Sequence, residues 1–331
     1  MKPIAGQIQK LKAERNALIL AHYYEESEVQ DIADYVGDSL FLAQMGQRAK
    51  NPVVLLAGVV FMAESVKILS PEKTVLVPDL EAGCSLVQHS PFNAYLAWRQ
   101  RHPEAIAVTY INCSAEVKAI SDVIVTSSNA EKIIRSIPDS RQILFGPDLN
   151  LGRYLAKKLN RPMELWPGAC EVHVLFSARK IFELKSQHPN AVVLAHPECI
   201  DEVLAEAHVI GSTSRLLEEV KNNPAMEFIV ATEPGIMHQM RKLRPEVTLF
   251  EAPAEGSCAC NQCPYMKLNT LEKIHRALLN FKPSVDVPHH IRERAVVALD
   301  RMMKITDGLP VEWPRKFEYA GASPQPAAVV P

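Results

Sequence analysis

Seven cysteines are spread unevenly along the 331-residue chain. Cys258, Cys260 and Cys263 crowd into GSCACNQCPYM at residues 256 to 266, whereas Cys84 and Cys170 each close a small-residue turn, EAGC and PGAC. A CxCxxC stretch taken alone is compatible with zinc binding, a redox disulfide or one ligand of a larger site. Sulfurs spaced one and two residues apart are too close to occupy three corners of an ordinary structural zinc site without a partner elsewhere. Cys113 and Cys199 directly follow polar strand-end residues, and burial as small hydrophobes is the expectation for both.

A second set of residues suits proton transfer. The runs AHYY, TYIN and AHPE carry His22, Tyr24, Tyr110, Asn112, His196 and Glu198, and each closes an apolar stretch that reads as a strand. Histidine exchanges protons near neutrality, and glutamate or tyrosine does so when burial or a neighbouring charge moves its pKa. A third set, in GDSL, TSSN and GSTS, places Ser39, Ser127 and Thr213 where helix N-caps are expected. Three helix starts aimed at one cavity would concentrate partial positive charge and free N–H donors there, so the ligand implied is a small polyanion. Neither GxGxxG nor GxxxxGK[ST] occurs, which removes the dinucleotide fingerprint and the P-loop as explanations.

The elements that must position these residues repeat three times. ALILAHYY, DYVGDSLFLAQM, PVVLLAGVVFMAESV and TVLVPDLEAGC form one pass; AIAVTYINC to MELWPGAC form the second; AVVLAHPEC to VTLFEAPAEGSC form the third. Ser39, Ser127 and Thr213 are 88 and 86 residues apart, and Cys84 and Cys170 are 86 apart. Short β-branched runs alternating with amphipathic stretches are the mark of βαβ units and parallel sheets. The expected fold is therefore α/β: three doubly wound domains with small parallel sheets related by a pseudo-threefold axis, and an active site at the centre. The divisions fall at 1–86 with 264–315, whose helices return to the first domain, then 87–172 and 173–263, with 316–331 a flexible tail.

This arrangement brings together Cys84, Cys170 and one cysteine of the crowded loop, for which the repeat register favours Cys258. Three thiolates cannot complete an all-cysteine iron-sulfur cluster, so one iron would stay open as a Lewis acid. Hydrophobic residues make up 47% of the chain and charged residues 22%, with a formal charge of −2, a balance that offers no strong field for nucleic acid or acidic lipid. The N-terminal stretch lacks a signal-peptide core, and PVVLLAGVVFMA is shorter than a membrane span, so the expected location is the cytoplasm.

The motifs AHYY, VGDS, TYINCSAEVKA, VTSSNA, FGPDLNLG, WPGACEVH, HPEC, ATEPGI and CNQCPYM, in this order, make the chain closely resemble the quinolinate synthases, iron-sulfur enzymes of de novo NAD biosynthesis. The resemblance runs to about Lys316. It implies a 4Fe-4S cluster with three cysteine ligands and one open iron, and it assigns the third ligand to Cys263, before ProTyrMet, alongside Cys84 and Cys170. Cys258 and Cys260 are then spare, either buried or a redox pair. The implied reaction condenses iminoaspartate with dihydroxyacetone phosphate to quinolinate, losing phosphate and water, with transient supply of iminoaspartate from L-aspartate oxidase. By the same resemblance, Ser39, Ser127 and Thr213 hold phosphate or carboxylate, while His22 and Tyr24 position dihydroxyacetone phosphate and move its protons. Glu198 with His196 forms a later acid–base pair, and Tyr110 with Asn112 anchors the dicarboxylate. Two other readings compete: a zinc-dependent lyase or hydrolase with Glu198 as base, and a noncatalytic receptor for a phosphorylated metabolite.

Overall fold

Runs such as ALILAH and VVLLA are apolar on both faces, and strands made of them need a covering layer on each side. The computed structural model describes residues 3–256 and 261–319. Among these residues the strands are β1 (Ala17–His22), β2 (Tyr35–Gly37), β3 (Val53–Ala57), β4 (Thr74–Leu76), β5 (Ile106–Tyr110), β6 (Val123–Val125), β7 (Ile143–Gly146), β8 (Glu164–Leu165), β9 (Val192–Ala195), β10 (Val209–Ile210), β11 (Glu227–Ala231), β12 (Thr248–Glu251) and β13 (Ser284–Val285). They form three sheets, ordered β13-β4-β3-β1-β2, β6-β5-β7-β8 and β10-β9-β11-β12. With β13 set aside, each sheet has its first strand flanked by its second and third, and its fourth outermost beside the third. The threefold repeat in sequence is thus a threefold repeat of topology, and the pairs within it are parallel.

Side-chain alternation divides the first sheet between two cores. Leu18, Leu20, Val54 and Leu56 face one core, while Ala17, Ile19, Ala21, Val53 and Leu55 face the other. The second core is closed by helix Pro3–Glu14 and by helix Leu271–Asn280, whose Leu271, Ile274, Ala277 and Leu278 recur at helical spacing.

The C-terminal helices share their allegiance. Helix Leu271–Asn280 covers the first sheet, and Val285 of β13 pairs antiparallel with Val75 at that sheet's edge. Helix His289–Thr306 instead lies across helix Ala115–Ala119, β6 and helix Ala130–Ser136 of the second unit, while also touching helix Val60–Leu69 of the first. Its buried face, Ile291, Ala295, Ala298, Leu299, Met302 and Ile305, joins one core that runs through both units. Amphipathic spacing showed that this helix had an apolar face but could not say what the face would meet.

Residues 316–319, placed above in a tail, lie against the second unit. The Phe317 N–H bonds Pro103 O at 2.7 Å, and the Phe317 ring sits 4.5 Å below the guanidinium of Arg99. Arg99 is itself buried and paired with Asp122 at 2.7 Å. Among the described residues, no helix is long and apolar enough to cross a membrane. Met302 is fully buried where the first two units share their core; Met302→Ala is expected to lower stability by about 2–4 kcal/mol, read as a shift in urea midpoint at unchanged slope.

Candidate active site

Parallel strands leave their C-terminal ends on one edge. The edges of the three sheets meet at one cavity. The first unit lines it with His22, Tyr24, Ser39 and Cys84, the second with Tyr110, Asn112, Ser127 and Cys170, and the third with His196, Glu198 and Thr213, while Cys263 closes the set. The three thiols and nine polar residues that the resemblance assigns to the site therefore all line this one space. Cys113 and Cys199 are buried, and Cys258 and Cys260 lie outside the described residues.

The three lining thiols share a local geometry. Cys84 precedes the helical turn Ser85–Gln88, Cys170 the turn His173–Leu175 and Cys263 the turn Met266–Leu268. Each sulfur thus lies just before a turn whose backbone N–H groups favour the charged form of the thiol. Burial pushes the Cys84 thiol up to about 12 and the Cys263 thiol to about 11, and raises Cys170 well above its ordinary value. Deprotonation therefore needs a compensating cation.

Glu198 is the most heavily hydrogen-bonded carboxyl among the candidate residues. It is buried and accepts the Tyr110 hydroxyl at 2.5 Å, and its other oxygen lies 3.0 Å from His173 Nδ1. Burial alone would raise its pKa; His173, His196 and the Tyr110 donor outweigh that effect and hold the carboxyl below the usual range. The opposite holds for the phenols. Burial first, then the Glu198 charge, raises Tyr24 and Tyr110 well above their ordinary values, so both remain proton donors.

His22 and His196 are set alike. The Tyr24 N–H donates to His22 Nδ1 at 3.2 Å and the Glu198 N–H to His196 Nδ1 at 3.4 Å, which leaves the proton of each neutral ring on Nε2. His196 Nε2 lies 3.3 Å from Ser127 Oγ. Burial lowers His22 to about 4 and His196 to about 3.

The helix starts differ from the expectation in one respect. The caps are Asp38, which accepts the Phe41 N–H at 2.9 Å, and Ser212, which accepts the Arg215 N–H at 3.3 Å; Asn129 precedes the third helix. Ser39 and Thr213 are first helical residues and Ser127 lies two before the cap. Relieved of capping, their side chains can face the cavity.

Two participants lacked a repeat signal. His173, within WPGACEVH, bridges Cys170 Sγ at 3.2 Å and Glu198, while its Nε2 meets Thr232 Oγ1 at 3.0 Å. Thr232, just after β11, meets the Tyr24 hydroxyl at 2.7 Å. A continuous path thus runs Tyr24, Thr232, His173, Glu198, Tyr110. Cys170, His173 and Glu198 also have ligand atoms within 4.8 Å of one another and so could hold a metal. Their individual spacings of 3.0 and 3.2 Å are those of a shared ring N–H; ligands on one tetrahedral zinc stand about 3.5 Å apart.

Three doubly wound sheets that converge on a thiol-lined, acid–base cavity define an α/β enzyme whose site lies between its units. The family described as Quinolinate synthetase A protein matches residues 6–304. The chain is 52% identical over 299 residues to the quinolinate synthase of Nostoc punctiforme, covering 90% of this chain and 92% of that one. It is 49% identical to those of Prochlorococcus marinus over 306 residues, covering 92% of each chain, and of a Synechocystis species over 305 residues, covering 92% and 96%. The chain belongs to this quinolinate synthetase A family.

Because His22 and His196 are neutral in the fold, with pKa values of about 4 and about 3, the unfolded chain takes up a proton on each as pH falls through the ordinary 6.5. Stability is therefore full above that value and falls by about 1.4 kcal/mol per pH unit for each histidine until its folded pKa is reached. The stability difference between the parent and His22→Gln, read from urea midpoints, should move against the parent as pH is lowered from about 7 to about 5, because only the parent has an imidazole at this position to protonate on unfolding.

Proposed function

We propose that the protein condenses iminoaspartate with dihydroxyacetone phosphate, releasing phosphate and water to give quinolinate for NAD biosynthesis, and that Cys84, Cys170 and Cys263 hold a 4Fe-4S cluster. The observation that carries this reading is the convergence of three thiols from separate loops, Cys84, Cys170 and Cys263, on a single cavity. Three sulfurs and no fourth cysteine among the described lining residues fit a cubane with one iron free of protein ligand. When bound, that iron supplies a Lewis acid for substrate oxygen.

The remaining chemistry belongs to side chains. Ser39, Ser127 and Thr213 offer hydroxyls beside helix starts to phosphate and carboxylate groups. His22, with its proton on Nε2, and the protonated Tyr24 orient dihydroxyacetone phosphate and exchange protons during its isomerisation. Glu198, kept ionised, is the base, and neutral His196 donates beside it. The path through His173 and Thr232 connects Glu198 to Tyr24, so a proton gained at one end has a hydrogen-bonded route towards the other. Tyr110 is engaged by Glu198, which leaves Asn112 as the nearer anchor for the dicarboxylate. Iminoaspartate is unstable in water, so supply by L-aspartate oxidase in the same cytoplasmic compartment suits the chemistry.

The group Cys170, His173 and Glu198 favours a second reading, a zinc-dependent lyase or hydrolase acting on a small phosphorylated or dicarboxylate substrate. Protein purified without oxygen separates the two: a brown sample containing iron and sulfide and forming quinolinate supports the first, and a colourless zinc protein forming none overturns it. Cys84→Ala, Cys170→Ala and Cys263→Ala should each lose most bound iron and sulfide. Glu198→Gln should retain both and lower kcat by about 100-fold or more.

A further inference from the structure

Asp38 uses one oxygen to cap its helix, Oδ1 accepting the Phe41 N–H at 2.9 Å. The other oxygen makes contacts that capping does not require. Oδ2 accepts the Ser128 hydroxyl and the Ser214 hydroxyl, each at 2.6 Å. One carboxylate of the first unit thereby holds a serine of the second and a serine of the third. Ser128 directly follows Ser127, and Ser214 directly follows Thr213, so all three helix starts are tied within one residue of their cavity-facing hydroxyls. Asp38 is buried, Ser214 half-buried and Ser128 exposed, which places the junction at the outer rim.

The charge is in an awkward place. A carboxylate beside helix starts suited to anions repels the ligand those starts would take. Its geometry accounts for its presence: short, charge-assisted bonds from two hydroxyls give it a hold on segments that no backbone ladder joins. The third unit's sheet is packed in cores distinct from the one the first two units share, so this hold adds to the other polar contacts that join it to the first, such as Gln30 with Gly235 and Asp31 with His238.

We propose that Asp38 is a positioning residue that clasps the three helix starts, fixing the spacing at which Ser39, Ser127 and Thr213 face one anionic ligand. The ligand named in the test rests on the reaction proposed above; the clasp does not. Asn is as good a cap as Asp, so Asp38→Asn keeps the local helix start while replacing a charged acceptor with an NH2 group or a neutral carbonyl.

Hydrogen–deuterium exchange on the full-length Asp38→Asn protein should quicken by about 10-fold at residues 127–130 and 213–216, in units where the substituted side chain does not lie. Affinity for dihydroxyacetone phosphate, measured by calorimetry, should weaken by about 10-fold, with KM rising more than kcat falls. Ser128→Ala with Ser214→Ala should reproduce both effects, and combining them with Asp38→Asn should add little. Quickened exchange confined to residues 38–42 would overturn the proposal, as would effects that multiply in full. Tighter binding with unchanged exchange would also overturn it, because Asp38 would then act only by repulsion. If exchange in the other units follows Asp38 but the parent protein does not bind dihydroxyacetone phosphate, the clasp stands and the substrate reading fails.

Discussion

The direction of a parallel strand fixes where chemistry can occur in this protein. Every strand of a doubly wound unit ends on the same edge, and the loops that follow are free of the sheet's hydrogen-bond ladder. Three units with one strand order bring three such edges together, so His22, Tyr110 and the residues after β9 share a space although long stretches of chain separate them. Local sequence decides which group each edge delivers. Topology decides that the groups meet.

Within that space, protonation is arranged by contrast. The sulfurs and phenols are held neutral by burial, and the two imidazoles accept backbone N–H groups at Nδ1 and cannot readily charge. Glu198 alone among these groups has enough donors around it to remain ionised, and its charge sits between a hydroxyl and an imidazole. Such differences in environment, rather than differences in residue type, separate an acid from a base in a closed site.

Much of this was legible in the sequence, for a physical reason. A repeat imposes a register, and the register aligned Ser39 with Ser127 and Thr213, and Cys84 with Cys170. It failed where residues act outside the repeat. His173 lies in a single helical turn after Cys170, and Thr232 follows a strand of the second half of its unit, so neither has a counterpart that would mark it. The register favoured Cys258, which lies outside the described residues; among the described residues the cysteine of that loop that lines the cavity is Cys263, and a closing loop can change length without disturbing a strand. The caps were misplaced by a residue or two for a related reason: Asp38 and Ser39 are both plausible cap types, and only backbone geometry distinguishes them. Helix His289–Thr306 showed its apolar face in its spacing, but its partners are set by long-range packing that periodicity does not encode.

The division of apolar cores has a thermodynamic corollary. The first two units share one core, so the hydrophobic effect joins them whatever the cavity contains. The third has cores of its own, on which Tyr23, Tyr24 and Tyr154 pack, and it reaches its neighbours through polar contacts at the cavity, such as Tyr24 with Thr232 and Tyr110 with Glu198, and away from it, such as Gln30 with Gly235 and Asp31 with His238. Whatever fills the space must bargain with the polar groups at the cavity, so ligand occupancy and the posture of the third unit are linked functions, each biasing the other by an equal free energy.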